Sequence, residues 1–235
     1  MCMTDKKFTS AIILAAGIGS RMRSDTTKQR MTPLGVSVLL RAAMAFDKAT
    51  LVDELVVVCR EEELDFARAE LSSLSKPVRL TVGGKTRRDS AECGFLAVSE
   101  SAELVAIHDV ARCLINPEDI DAVIAAAASH GAASAVGRVT DTVKTLDSEG
   151  FITSTIPRDT LRSAQTPQVF SREIYEKAIE ASRDTEVTDD NMMAELIGVR
   201  VLGVEIGSHN FKITTREDLE LAEFILARRG ENELV

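Results

Sequence analysis

Short runs of branched apolar residues alternate along the chain with longer stretches in which apolar residues recur every three or four positions. "AIILAA" (11–16), "ELVVVC" (54–59), "VRLTV" (78–82) and "ELVAIH" (103–108) read as strands. Their near-continuous apolar character is that of strands covered on both faces. "VSVLLRAAMAFDKA" (36–49), "EEELDFARAELSSL" (61–74) and "RRDSAECGFLAVSE" (87–100) read as helices. "NPEDIDAVIAAAASHG" has Asn116 at the cap, Pro117 at the first helical position and Gly131 just past the end, which marks a helix at both termini. This β-α-β-α rhythm predicts an α/β fold, with a mostly parallel sheet flanked by helices.

The rhythm breaks at 137–163. There "GRVTDTVKTLDSEGFITSTIPRDTLRS" alternates Val, Thr and Ile with polar residues around "DSEG" and predicts a protruding β-hairpin or arm. Helical patterns return at 171–183 and 188–197, followed by a strand at 199–206. Thr214 and Glu217 form a capping box for a last helix that ends near Gly230. With no repeat, low-complexity segment or Pro/Gly-rich linker, the pattern reads as one domain over residues 1–235 carrying the arm.

Composition narrows the function classes. Of 235 residues, 45% are hydrophobic and 28% charged, as in an ordinary globular chain. No apolar run approaches the ~20 residues needed to span a bilayer, and the polar "MCMTDKKFTS" start lacks a secretory apolar region. The four cysteines form no C-x-x-C pair, which argues against a zinc site or a disulfide framework and for a reducing, cytoplasmic setting. Thirty-seven acidic residues against 28 basic ones argue against a general nucleic-acid binder.

Against that net charge of −9, "AAGIGSRMRSDTTKQRM" (15–31) gathers Arg21, Arg23, Lys28 and Arg30 just after the first strand. Open α/β sheets bind ligands at the carboxyl ends of their strands. Small residues there (Ala15, Ala16, Gly17 and Gly19) let backbone N–H groups approach phosphate oxygens. Such a turn also serves simply to pack strand against helix, and the four cations also read as solvated surface. The turn lacks G-x-x-x-x-G-K-[ST] and the third glycine of G-x-G-x-x-G, and no acid follows about 20 residues on, so a Rossmann oxidoreductase fits poorly.

Together, "LAAGIGSRM…KQ" resembles the nucleotide-binding signature of sugar-phosphate nucleotidylyltransferases. More narrowly it is similar to the cytidylyltransferases that act on 2-C-methyl-D-erythritol 4-phosphate in isoprenoid-precursor synthesis. "GGKTRRDS" (83–90) resembles that family's GG-x-x-R-x-x-S through Gly83, Gly84, Arg87 and Ser90, which the family uses on the cytosine and ribose of CTP. "IHDVAR" (107–112) resembles H-D-A-A-R-P, with Asp109 in the place of a Mg²⁺ ligand and Arg112 in that of a substrate-phosphate contact. "VTDTVK" resembles R-D-T-[MIV]-K, whose threonine, here Thr142, reaches into a neighbouring subunit's site from a dimerising arm. Arg158, Thr166-Pro167-Gln168, Thr188-Asp189-Asp190 and "HNFKIT" with Lys212 match further substrate-positioning segments in the family's order. Departures stand at Lys85, Cys113 and Asn191-Met192.

The resemblance covers about residues 10–228. It implies a Rossmann-like fold of the nucleotide-diphospho-sugar transferase type and a homodimer built through the arm. It also implies Mg²⁺-dependent transfer of CMP from CTP to a polyol phosphate, with Arg21 and Lys28 on the α-phosphate, Arg158 and Lys212 on the sugar phosphate, and Asp109 on the metal. Two alternatives stand beside it. One is the same chemistry on ribitol 5-phosphate, from which "LAAG" and "HDVAR" differ. The other is a catalytically silent nucleotide-binding homologue, against which the intact set Arg21, Lys28, Asp109, Arg158 and Lys212 argues.

Overall fold

The computed structural model describes residues 6–17 and 27–230. The strands among these residues are β1 (Thr9–Leu14), β2 (Glu54–Cys59), β3 (Val78–Val82), β4 (Leu104–Asp109), β5 (Ala132–Arg138), β6 (Val143–Leu146), β7 (Ile152–Ile156), β8 (Arg162–Ser171) and β9 (Leu202–Glu205). The α-helices are α1 (Val38–Lys48), α2 (Leu64–Glu70), α3 (Arg87–Leu96), α4 (Pro117–His130), α5 (Arg172–Ala181), α6 (Asp190–Leu196) and α7 (Arg216–Arg228). A 7-stranded sheet runs β3-β2-β1-β4-β8-β5-β9. β1 pairs in parallel with β2 and β4, β2 with β3, and β5 with β9. The mostly parallel α/β architecture is therefore the one the hydrophobic rhythm predicts.

One sheet face packs on α1, α2, α4 and α7, through Phe46, Ala67, Ile120, Ile124 and Leu226. The other packs on α3, α5 and α6, through Phe95, Tyr175, Ile179 and Met193. Fully buried Ile12, Ile13, Val56, Val57 and Ile107 fill the strands between them. That two-sided cover is why those strands lack polar alternation.

Several details differ from the sequence reading. β8 runs antiparallel between β4 and β5. Neither β5 nor β8 was legible as a strand, because β5 is small-residue "AASAVGR" and β8 contains Pro167. The β5–β8 ladder slips between Ser134 and Val136, opposite Gln168 and Ala164, so Pro167 lies in the irregular stretch and removes no ladder hydrogen bond. The 61–74 helix is a 3₁₀ turn, α2 and a second 3₁₀ turn. α3 stops at Leu96, because the chain turns to bring the Ser99 N–H onto buried Glu54 at 2.6 Å. The last capping box is Thr215 with Asp218, one residue beyond the expected Thr214 and Glu217. The Asp218 carboxylate collects the N–H groups of both Thr214 and Thr215, at 2.7 and 2.8 Å. Asn116 holds the N-cap position of α4 but makes no side-chain cap bond; its amide lies 3.0 Å from His209 Nε2.

The hairpin forms as β6 and β7, a separate antiparallel pair. Residues 137–138 and 162–163, which the sequence reading gave to the arm, belong to the β5–β8 ladder of the main sheet. On the hairpin Leu146, Phe151 and Ile152 are exposed.

The seat of α3 decides where one wall of the site stands. A Cβ on Gly94 would come within 2.4 Å of Ile12 Cγ2 and 2.8 Å of Val58 Cγ2, both on fully buried side chains. Gly94→Ala gains up to about 1 kcal/mol of helix propensity, but overpacking a closed core costs about 1–3 kcal/mol. At these distances the clash wins. The variant is expected to unfold at lower urea concentration than the wild type, and an equal or higher midpoint would contradict the close seat of α3.

Candidate active site

Parallel pairing brings the carboxyl ends of β1, β2, β3 and β4 to one edge of the sheet. Leu14 stands opposite both Val58 and Asp109, and Cys59 opposite Val82. The residues just past those ends, Ala16, Arg60 and Gly83, therefore converge with Asp109. They line a cleft of about 560 Å³ together with Gly17, Lys28, Gln29, Gly84, Lys85, Thr86, Arg87, Ser90 and Lys212. The crossover from β3 back to β4, on the other side of β1, makes this the switch point at which such sheets bind ligands.

The two glycine turns differ in why they are small. A Cβ on Gly83 would lie 2.7 Å from Ala16 Cβ, and one on Gly84 would lie 2.3 Å from Asp89 Cβ. These glycines let the turn after β3 close onto the turn after β1 and onto the capping box of α3, Thr86 with Asp89. At Gly17 a Cβ would meet nothing within 4 Å. Among the described residues nothing fills the space there, and a ligand can approach the bare backbone.

The charged side chains form one network. Asp109 accepts from Arg87 Nε at 3.0 Å and from Lys212 Nζ at 2.6 Å. Arg87 Nη1 donates to Asp190 at 2.7 Å, and the Tyr175 hydroxyl donates to the other oxygen of Asp190 at 2.7 Å. Burial alone would raise the Asp109 pKa, but the Arg87 and Lys212 charges outweigh it and hold the carboxyl well below the usual range. Burial pulls the Arg87 guanidinium down, and its two carboxylates lift it well above its ordinary value. Tyr175 is raised, first by burial and then by Asp190, so its proton stays on the oxygen. Across the cleft, Lys28 donates to the Ile213 carbonyl at 3.1 Å, next to Lys212. The loop carrying Lys28 is tied down by buried Glu63, which accepts from Thr27 Oγ1, Arg30 and Arg60. Gln29 is 1% exposed and its Nε2 has no hydrogen-bond partner among the described residues, a donor that a ligand oxygen in the cleft would satisfy.

Behind Asp109 a second chain of hydrogen bonds fixes the strand end. The Asp109 N–H donates to Thr166 Oγ1 at 3.1 Å, and Thr166 Oγ1 lies 3.0 Å from His108 Nδ1. His108 Nε2 lies 3.3 Å from the Arg112 carbonyl. A carbonyl only accepts, so Nε2 carries the ring proton and Nδ1 accepts from the Thr166 hydroxyl, a tautomer assigned from the network. Burial pushes the His108 pKa down to about 3. His108 is thus a packed structural histidine.

Of the residues singled out in the sequence, Ala16, Gly17, Lys28, Gly83, Gly84, Arg87, Ser90, Asp109 and Lys212 meet in this cleft. Arg87, expected on the base and ribose, lines the cleft and is ion-paired with Asp109 and Asp190. Ala15 is buried behind the turn, its N–H on the Val58 carbonyl. Thr166, expected on substrate, is buried and braces Asp109. Arg112 Nη1 is turned onto the Asn210 carbonyl. Thr142 and Arg158 stand on the hairpin, exposed, with Arg158 Nη1 on the Thr140 carbonyl. Thr188 is exposed ahead of α6. Ala15, Thr166, Arg112, Thr142, Arg158 and Thr188 do not line the cleft of their own chain, whereas Arg87 does. Arg21, Arg23 and Gly19 lie outside the described residues. Arg60, Thr86 and Gln29 were not assigned to the site from sequence. Arg60 follows β2 directly, so the strand-end rule applied to every parallel strand would have found it.

Among the described residues no cluster of three or more His, Cys, Asp or Glu side chains is placed to hold a metal ion. Asp109 is the one carboxylate lining the cleft among them. Mg²⁺ is commonly held by one or two carboxylates with substrate phosphates and waters supplying the rest, so this donor set fits Mg²⁺ only as an ion shared with a phosphate ligand.

The family model for 2-C-methyl-D-erythritol 4-phosphate cytidylyltransferase matches residues 9–228. A protein of that name from Pelotomaculum thermopropionicum is 38% identical over 228 residues, covering 94% of this chain and 95% of its own. Another, from Microcystis aeruginosa, is 39% identical over 222 residues, covering 93% and 98%. The crystal structure of 4-diphosphocytidyl-2C-methyl-D-erythritol synthase from Anaerococcus prevotii superposes with a TM-score of 0.85 at 31% identity, covering 95% of this chain and 98% of that one. The strand-end cleft, the motifs that line it and these matches over nearly the whole length lead to one conclusion: the chain belongs to the 2-C-methyl-D-erythritol 4-phosphate cytidylyltransferase family.

Proposed function

We propose that this chain transfers CMP from CTP to 2-C-methyl-D-erythritol 4-phosphate and releases pyrophosphate, in the non-mevalonate supply of isoprenoid precursors. The observation that carries the reading is the meeting of Lys28, Arg87, Asp109 and Lys212 in one cleft beside the Gly17 and Gly83-Gly84 turns. A phosphate oxygen of the acceptor attacks the α-phosphorus of CTP, a new P–O bond forms, and the bond to the β-phosphate oxygen breaks. The attacking phosphate is already anionic near neutral pH, so no general base is required. His108, at the strand end, is buried and held neutral by its surroundings and supplies none.

Catalysis then rests on position and charge. Lys28 and, from the motif, Arg21 stabilise charge on the α-phosphate, while Lys212 orients the incoming phosphate. Ala16, Gly17 and the Gly83-Gly84 turn with Ser90 form the bed for the nucleotide. Asp109 would hold Mg²⁺, which supplies charge neutralisation for the triphosphate when bound. Thr142 and Arg158 lie on the β6–β7 hairpin, away from their own cleft, and exposed Leu146, Phe151 and Ile152 give that hairpin an apolar surface. This supports a homodimer in which the arm of one subunit serves the cleft of its partner. The reading also puts the protein in the cytoplasm, acting on small molecules.

The test is pyrophosphate release from CTP and Mg²⁺ with 2-C-methyl-D-erythritol 4-phosphate or ribitol 5-phosphate in parallel. Release with the first acceptor, at least tenfold above the second in kcat/KM, is the expected result; that ratio corresponds to about 1.4 kcal/mol. Preference for ribitol 5-phosphate would replace the substrate, and release with neither would leave a silent nucleotide-binding homologue.

A further inference from the structure

Two fully buried polar side chains take no part in the chemistry above, yet lead directly to the cleft. Tyr175, on α5, lies 5.3 Å from Phe95 and 5.5 Å from Phe170 between ring centroids. Its hydroxyl donates to one oxygen of Asp190, whose other oxygen accepts from Arg87 Nη1, both at 2.7 Å. Arg87 Nε then donates to Asp109 at 3.0 Å. Asp190 is anchored in turn, because its backbone N–H donates to Gln168 Oε1 at 2.9 Å. A phenylalanine would fill the core at position 175 as well as tyrosine does, and a buried ion pair is poor grounds for stability. The arrangement makes sense if its task is geometric.

We propose that Tyr175 and Asp190 are positioning residues that lock Arg87 in the rotamer holding Asp109 beside Lys212. The inference rests on the cytidylyltransferase reading; it adds Tyr175, which no motif includes, and gives Asp190 of the Thr188-Asp189-Asp190 segment a role on Arg87. An arginine has a long, flexible stem and would otherwise sample several rotamers at the cleft edge. With Nη1 bound to Asp190 and Nε to Asp109, that freedom is removed before substrate arrives. Such prior ordering raises turnover, because no group has to reorganise as charge develops.

The experiment compares wild type, Tyr175→Phe and Asp190→Asn, with Phe170→Leu as a control that loosens the same aromatic packing and leaves the hydroxyl in place. Three quantities are read: water exchange of the Arg87 Nε–H by ¹⁵N NMR, kcat and KM for CTP, and thermal midpoint. Tyr175→Phe and Asp190→Asn are expected to speed Arg87 exchange and lower kcat by about tenfold, with KM for CTP little changed. Phe170→Leu is expected to lower the thermal midpoint and leave Arg87 exchange and kcat alone. Wild-type exchange and kcat in Tyr175→Phe would overturn the proposal, as would equal losses in Phe170→Leu. If one polar variant does not fold, the other decides. A wild type without turnover would refute the proposed reaction, while the exchange measurement would still judge the lock.

Discussion

Lys28→Ala is expected to fold as the wild type does and to turn over about 10²–10³ more slowly, a loss of roughly 3–4 kcal/mol of transition-state stabilisation. Lys28 ties its loop to the Ile213 carbonyl, but the fold should survive its loss because Glu63 also holds that loop, through Thr27 at 3.2 Å and Arg30 at 2.7 Å, with Arg30 stacked 4.3 Å over the Phe66 ring. Turnover should fall because Lys28 lines the cleft, near Lys212 and Asp109, where the triphosphate charge has to be met. Circular dichroism and the thermal midpoint check the first half, and kcat for pyrophosphate release checks the second. A wild-type kcat in a folded Lys28→Ala protein would remove Lys28 from the chemistry.

The second large effect is acid sensitivity seated in His108. Its folded pKa is about 3 against an ordinary 6.5. Below pH 6.5 the unfolded chain binds a proton that the folded chain refuses, so stability falls as pH falls between 6.5 and 3. The structural reason is plain. Protonation would put a second N–H on Nδ1, facing a Thr166 hydroxyl that already receives the Asp109 N–H and donates to that nitrogen. With these pKa values the native state loses about 2 kcal/mol at pH 5 and about 3 kcal/mol at pH 4, relative to pH 7.5. Asp109 adds to the loss only lower down. Its folded pKa is depressed below 3.8, so its contribution is present above that value and disappears beneath it. Urea denaturation at pH 7.5, 5 and 4 measures this. His108→Gln is expected to flatten the decline between pH 7.5 and 5, and an equal decline in that variant would place the acid-sensitive group elsewhere.

β1, β2 and β4 were legible in the sequence because each is covered on both faces and carries a run of apolar residues, while the edge strand β3 is only partly buried and shows as an alternation of Val, Leu and Val with Arg79 and Thr81. β2 and β3 occupy the residues the pattern assigned, 54–59 and 78–82. β5 and β8 were not legible for the opposite reason. Small residues in one and Pro167 in the other suppress the strand signal, and only the ladder partners on either side make them strands. The capping box at the last helix slipped by one residue because Thr214 and Thr215 both offer hydroxyls, and only the position of Asp218 chooses between them.

For the site, glycines and strand-end residues were legible because they are local to one turn. Arg87, Asp109, Asp190 and Tyr175 are joined across 103 positions of sequence for one pair and 15 for another, so their partnership had no local signature. Thr166 shows the same limit. Its motif pointed to substrate, whereas the irregular stretch of β8 turns its hydroxyl onto His108 and Asp109.

The most direct test of the whole account is a crystal structure of the protein with bound CTP. The triphosphate is expected in the strand-end cleft, with Lys28 and Lys212 within hydrogen-bond distance of its oxygens and backbone N–H groups of the turn after β1 against a phosphate. A nucleotide seated elsewhere, with Lys28, Asp109 and Lys212 still bound only to protein, would contradict it.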